Sequence, residues 1–359
     1  MRIRLPLLPA ALILLIGASA TAQTQSAPTP AVPPTAPATI PFVKSEAEGV
    51  VRDLATKLED NFVFPDIAKQ YAAMLRLNLA AGKYANFADA DRFAKAVTAD
   101  LQAVHKDGHL HLKATRPDEG GKRELRQLPT SSAVVKSGWL ADRVAFIEFA
   151  GFPGNDATMA DLRTFLVAHR GAKTLIIDAR HHRGGGLAEM NVLFPQIFPR
   201  ETVLVDMDTR VAVDKRTGGK TENFMRKVAG PVGVVRREHY VVPAKNQGEL
   251  GHAKVYLLVS KRTGSAGEHL SLSLKRTHRA TLIGESTYGA GHYGGFQPIG
   301  SGFVAFIPVG RTFDPDTGEG WEGTGVKPDI EVPADKALDE ALRLAGVDKS
   351  AEAALTELR

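Results

Sequence analysis

A five-residue apolar run, Thr174-Leu175-Ile176-Ile177-Asp178, gives way at once to Ala179-Arg180-His181-His182-Arg183-Gly184-Gly185-Gly186. A run this short and this apolar, ended by glycine, reads as a strand buried on both faces. Val255 to Val259 is a second such run and leads into a helix from Ala266; Thr281 to Gly284 and Gly302 to Val309 read as further strands. Upstream, Val134-Val135 and Val144 to Phe149 have strand character. Helical patterns lie between them: Asn155 to Ala168 with an Asn or Asp cap, Met190 to Phe198, and Ala337 to Leu344 near the end. Strands alternating with helices specify an α/β domain. The stretch from Glu201 to Gly251 is polar and irregular and receives no assignment, and no internal repeat is present.

The period is helical from about Ser45 to Val104. Ser45 with Glu48 fits a capping box, followed on one face by Val50, Val51, Leu54 and Leu58. Pro65 can open a second helix bearing Ile67, Tyr71, Met74 and Leu75, and a third places Phe93, Val97, Leu101 and Val104 on one stripe. The expected organisation is a small three-helix N-terminal domain over 44–113 and an α/β domain over 130–345.

What precedes these is not expected to belong to the fold. Arg2 and Arg4, the apolar Leu5 to Ile16, and the small-residue patterns Ala18-Ser19-Ala20 and Ala20-Thr21-Ala22 read as a signal peptide over 1–22. Residues 23–43 form a Pro/Ala-rich tether. Export to a periplasmic or extracellular location follows, with no membrane span left after cleavage. The chain has no cysteine, which excludes disulfides, thiol catalysis and thiolate metal sites. A net charge of +5, falling to +3 when Arg2 and Arg4 leave, is scattered among acids without a basic stripe, which argues against nucleic-acid binding.

Three segments can carry chemistry. Thr263-Gly264-Ser265-Ala266-Gly267-Glu268 places a serine among small residues where a strand turns into a helix, so that free N–H groups face any developing negative charge. Taken alone, Ser265 reads as an N-cap. The Gly184-Gly185-Gly186 loop lets backbone approach a ligand closely but lacks the Lys-Ser/Thr ending of a phosphate loop. Trp321-Glu322-Gly323-Thr324-Gly325-Val326-Lys327-Pro328-Asp329-Ile330 alone is a turn.

In this order the three resemble the tail-specific (C-terminal processing) protease family over roughly Ser45 to Leu344. Asp178, Arg180, Gly184 and Gly185 match the family's Asp-x-Arg-x-Asn-x-Gly-Gly pattern, with His182 where Asn is usual. Ser265-Ala266-Gly267-Glu268 stands for its Ser-Ala-Ser-Glu, Arg279 to Glu285 also fits, and Gly323 to Ile330 matches its Gly-Val-x-Pro-Asp-Ile close. The Lys of the family's Thr-Phe-Gly-Lys-Gly segment is here Ala290, so a Ser/Lys dyad is absent. About twenty residues between Leu112 and Val134 leave no room for a PDZ domain. The chain is thus similar to the branch of tricorn protease and the interphotoreceptor retinoid-binding protein modules, which takes a His from the N-terminal region and a Glu near the C-terminal end.

The resemblance implies a mixed-sheet core of the ClpP/crotonase-like type and a serine peptidase without cofactor or metal. Ser265 is its nucleophile and His109, in Asp107-Gly108-His109-Leu110, its base. Ala266 with Gly184 or Gly185 would hold the oxyanion, and Glu322, 57 residues after Ser265, would orient the site. Gly108 replaces the serine that links this network in tricorn. His111 rivals His109, since residues two apart in an extended segment share a face. Asp178 and Arg180 read as a structural ion pair, and Trp321 as packing. The substrate would be a peptide or unfolded protein; the oligomeric state is not legible. Two other readings compete: a non-catalytic peptide- or lipid-binding module on the same fold, and a metal-dependent hydrolase built on His105, His109, His111 and His181-His182.

Overall fold

The computed structural model describes residues 39–115 and 130–359. The proposed signal peptide and most of the tether lie outside the described residues, as does most of the span between Leu112 and Val134 that bears on a PDZ domain. Thr39–Arg359 forms one compact unit.

Two six-stranded sheets organise it. The first has the order β12-β9-β8-β4-β3-β2, comprising β2 (Val134–Ala141), β3 (Val144–Phe149), β4 (Thr174–Asp178), β8 (Lys254–Val259), β9 (Thr281–Gly284) and β12 (Ile330–Glu331). All pairs but β2–β3 are parallel. Every residue of β4 is buried, as its unbroken apolar run requires. Helices cover both faces. α4 (Asp156–Ala168), α5 (Ala188–Ile197) and α7 (Ala266–Arg276) pack Leu162, Leu193, Leu270 and Leu274 against Leu175, Ile177 and Leu257. α8 (Ala337–Leu344) and α9 (Ala351–Thr356) bury Leu338, Leu342 and Ala354 against Phe146, Ile176 and Leu258. Each such buried Leu, Ile or Phe side chain contributes about 1.5–3 kcal/mol relative to exposure.

The second sheet has the order β1-β11-β5-β7-β6, with β10 also on β11, and all its pairs are antiparallel. Its strands are β1 (His111–Ala114), β5 (Thr202–Arg210), β6 (Met225–Val228), β7 (Val234–Val241), β10 (His292–Pro298) and β11 (Phe303–Phe313). β5, β6, β7 and a short α6 (Val211–Arg216) occupy the stretch that carried no sequence assignment. β6 and β7 are only partly buried, and the three strands are laced by charge pairs such as Arg236–Asp208 and Arg226–Glu238. Their apolar alternation is therefore broken by paired ions, which hides them from a pattern search.

α1 (Lys44–Asn61), α2 (Pro65–Ala80) and α3 (Ala90–Val104) pack onto β11 through Val50, Leu54, Leu58, Phe93, Val97 and Leu101 against Phe303, Ala305 and Ile307. α1 does not start in the expected capping box. Val43 is its N-cap, without a side-chain cap bond, and Ser45 is already helical. The anchoring is instead apolar: Ile40 and Phe42, ahead of the helix, pack into the same cluster. α3 has a conventional cap, with Asp89 Oδ1 accepting from Arg92 N at 2.7 Å.

Candidate active site

Parallel β4, β8 and β9 lie side by side, so the loops leaving their carboxyl ends emerge together. These are the glycine loop, the turn bearing Ser265, and the segment Glu285 to Gly291. The first two are stitched to each other. Thr263 Oγ1 donates to Ala179 O at 2.8 Å, Ser260 Oγ to Arg180 O at 2.6 Å, and Gly264 N to His182 O at 3.0 Å. Beneath them Arg180 forks onto Asp178 at 2.6–3.1 Å and donates to Ala334 O, the expected structural pair.

Ser265 is the N-cap of α7 and is only half-buried, with φ 55° and ψ −117°. A β-carbon-bearing residue adopts this conformation at a cost of about 1–3 kcal/mol, which a site repays elsewhere. What holds it is Glu268, fully buried one turn on. Its carboxylate accepts from Ser265 N (2.8 Å), Thr287 Oγ1 (2.6 Å), Gly289 N (2.6 Å) and Ala290 N (2.9 Å). Burial pushes this carboxyl above the usual carboxylate range, against the opposing pull of those donors.

The glycine loop stands over the serine. A β-carbon on Gly184, at φ +108°, would lie 2.9 Å from Ser265 Cβ and 3.3 Å from Oγ, so only glycine fits. The Gly184 N–H, however, donates to His182 Nδ1 at 3.1 Å, and Gly186 N to Phe152 O at 2.7 Å. Of the two expected oxyanion donors in this loop, Gly184 is thus engaged, and it is Gly185 that lines the cavity beside Ser265 and Ala266. Burial holds His182 neutral, pushing it down to about 3.

Glu322 clips a second junction. Its Oε1 accepts from Gly108 N at 2.6 Å, and its Oε2 accepts from Gly291 N at 2.6 Å and His292 N at 3.0 Å. Gly108 therefore reaches the glutamate through its own backbone, without the serine of tricorn. Its pro-side-chain position is 3.1 Å from Ala290 Cα and Cβ, which leaves little room for one. Glu268 and Glu322 together grip consecutive amides of one segment, 289–292, tying the serine turn on one side to the Asp107–Leu110 turn on the other.

His109 and His111 share one face, as expected. Both rings stack on Phe306, at 4.9 Å and 6.4 Å between centroids. Nδ1 of His109 is buried with no hydrogen-bond partner among the described residues. Burial pushes the imidazole of His109 below its usual value, against the charges of Asp107 and Glu322. Among the described residues no hydrogen bond joins Ser265 Oγ to either ring.

Three side chains escaped the sequence reading as site residues. Asp107 is buried; its Oδ1 accepts from the N–H of His109 and Leu110 at 2.9 Å, and its Oδ2 lies 2.8 Å from His292 Nδ1. His292, at the start of β10, lines a cavity of about 440 Å³ with Ser265, Ala266, Gly185, His269 and Trp321. Glu268 is the third, and its Ser-x-x-Glu spacing from Ser265 was a usable signal. For Asp107 and His292, 185 residues apart, sequence offers none.

The histidines considered for a metal do not gather. Among the described residues the one group with metal-ligand spacing is Asp107, His292 and Glu322, with ligand atoms within 4.8 Å. Asp107 and Glu322 accept from five backbone N–H groups, and Asp107 also from His292 Nδ1, so the three are joined in one hydrogen-bond network.

A sequence model of Peptidase family S41 matches residues 143–332, more than half of the chain. The chain belongs to Peptidase family S41. The preceding residues, 35–142, match the N-terminal domain of Peptidase_S41 in eukaryotic IRBP. The fold agrees with solved structures of low identity. A Parabacteroides merdae structure superposes with TM-score 0.55 at 16% identity over 87% of this chain and 96% of that one. The photosystem II D1 C-terminal processing protease does so with TM-score 0.52 at 14% identity over 84% and 98%. Tricorn protease gives TM-score 0.50 at 13% identity over 87% of this chain and 36% of that one. As an S41 member the chain is a serine-type peptidase, and the mixed α/β fold is that of its relatives.

Proposed function

We propose that this S41 peptidase is exported and cleaves peptide bonds of unfolded or extended chains through Ser265. Export rests on the N-terminal residues alone; no helix among the described residues is long and apolar enough to cross a membrane. In the proposed reaction Ser265 Oγ attacks the peptide carbonyl while His109 takes its proton. The N–H groups of Ala266 and Gly185 receive the oxyanion, aided by the N-terminal end of α7. Glu322 acts as a positioning group that fixes the His109 turn through Gly108.

The observation that carries this reading is the strained backbone of Ser265, locked by Glu268 beneath a glycine loop and open to a cavity. Strain of this kind is worth maintaining where a nucleophile must be presented. The lowered imidazole of His109 keeps it unprotonated at neutral pH, as a base requires.

A fluorophosphonate probe on the purified protein should label Ser265 alone, and Ser265→Ala should abolish both labelling and peptide cleavage. Cleavage that survives in Ser265→Ala refutes the reading. An unlabelled serine in a protein that retains peptide or lipid in its cavity would establish the non-catalytic alternative.

A further inference from the structure

The site contains a second imidazole that is better anchored than the first. His292 gives Nδ1 to Asp107 Oδ2 at 2.8 Å, and Glu322 Oε2 lies 3.6 Å from the same nitrogen. Asp107 accepts through its other oxygen from two backbone N–H groups, so it cannot turn away. Burial works against its charge, but His292 and those N–H groups outweigh burial and hold its carboxyl below the usual range. With Nδ1 committed to a carboxylate, the chemistry of His292 is left to Nε2 on the opposite edge of the ring. His292 lines the cavity that Ser265, Ala266 and Gly185 share. The remaining groups around it are accounted for. Phe64 packs edge-on at 5.3 Å, and Arg311, its cross-strand partner, is paired with Asp208 and lies over Phe313.

We propose that His292, oriented by Asp107, is a catalytic residue of this peptidase: the general acid that protonates the leaving amine, distinct from the base that deprotonates Ser265. The inference rests on the serine-peptidase reading above. Two imidazoles in one site divide the work when their surroundings differ. His109 has no partner on Nδ1 among the described residues and a ring sunk against Phe306. His292 has two carboxylates at one edge, where an imidazolium is compensated.

The proton ledger closes. In acylation Oγ of Ser265 bonds to the carbonyl carbon as its proton passes to His109, and the C–N bond breaks as the amine nitrogen takes the Nε2 proton of a His292 imidazolium, which is left neutral with its Nδ1 proton on Asp107. In deacylation a water gives a proton to His292 as its oxygen bonds to the acyl carbon. His109 then returns its proton to Oγ as the ester C–O bond breaks. Each imidazole ends as it began.

The division can be tested because a nitrophenolate leaves without a proton, whereas an amine does not. In His292→Gln, turnover of a coumarylamide peptide that the unaltered enzyme cleaves should fall by roughly 10²–10⁴-fold. The acylation burst with p-nitrophenyl acetate should fall by less than about tenfold, followed by slow turnover as deacylation loses its base. His109→Gln should lose burst and amide turnover together. Asp107→Asn, which keeps the imidazole, should lower amide kcat more than the ester burst and move the pH profile. Equal losses on both substrates in His292→Gln would make His292 merely structural and overturn the inference, as would amide turnover near that of the unaltered enzyme. If Ser265→Ala cleaves the amide, the peptidase reading itself falls; if only His292→Gln does, this inference alone falls. Should His292→Gln fail to fold by circular dichroism, the Asp107→Asn comparison of the two substrates decides in the same way.

Discussion

Gly267 lies in the first turn of α7, and a β-carbon there would come within 2.7 Å of His182 Nδ1 and 3.1 Å of its Cγ. On the other side Thr263 Cγ2 stands at 3.1 Å. The imidazole is fully buried, with Phe152 edge-on at 4.2 Å, so it has nowhere to retreat. Gly267→Ala should therefore cost about 1–3 kcal/mol of overpacking, offset by at most about 1 kcal/mol of helix propensity. A net loss of about 1–2 kcal/mol corresponds to roughly 1.5–3 °C in Tm for a folded unit of this size. The displaced nitrogen is the one that holds Gly184 N–H, and a shift of about 1 Å in a catalytic loop can cost up to about 10²-fold in rate. His182→Asn vacates the volume and keeps an acceptor for Gly184. The double variant should recover Tm and activity relative to Gly267→Ala, with a coupling of about 1 kcal/mol or more in a double-mutant cycle. Strictly additive effects on melting and on peptide turnover would mean that positions 182 and 267 do not share this volume.

Glu268→Gln replaces the carboxylate that accepts four donors with an amide that can accept through only one atom, leaving buried N–H groups unpaired; a loss of about 2–4 kcal/mol in denaturant unfolding and of peptidase activity is expected. A surviving activity would show that the strained serine holds itself. His109 is needed unprotonated and burial pushes it down, so the acid limb of kcat/KM against pH should fall at a midpoint below 6.5; a limb above that value would contradict its role as base. His182 and His239 are pushed down to about 3 and about 4. The unfolded chain takes up their protons near 6.5 and the folded one does not, so stability is fully present above 6.5 and drains as pH falls toward those values. Each should cost about 1.4 kcal/mol per pH unit. Tm should drop accordingly between pH 7 and 4, with a shallower slope in His182→Asn.

The parallel strands were legible because they are buried on both faces, and no polar residue interrupts Thr174–Asp178 between its two ends. The three N-terminal helices were legible by their apolar stripe, although α1 takes its start from packing of Ile40 and Phe42 and not from Ser45. The second sheet was mostly illegible between Glu201 and Gly251. There Arg236 and Arg237 carry strand positions whose burial depends on Asp208 and Asp214, and Arg226 pairs with Glu238 at the surface, partners named only by the fold. β10 was hidden for a different reason: Gly294 and Gly295 sit in its middle, where a sequence reading expects a turn.

The site was legible where its chemistry is local and illegible where it is made of contacts. Ser265, Ala266 and the glycine loop are contiguous segments at the ends of neighbouring strands. Asp107 and His292 meet only because β1 and β10 both pair with β11. The departures from the family pattern fall into the same division. Read singly, His182 for Asn and Gly267 for Ser look like two weakened positions. In space the first fills the volume that the second gives up, and the acceptor that steadies Gly184 is retained. Likewise Gly108 in place of serine costs the network little, since its amide reaches Glu322 directly at 2.6 Å. A departure from a motif therefore argues for lost activity only after the space and the hydrogen bond it vacates have been traced. At 182, 267 and 108 both are taken up within the site itself.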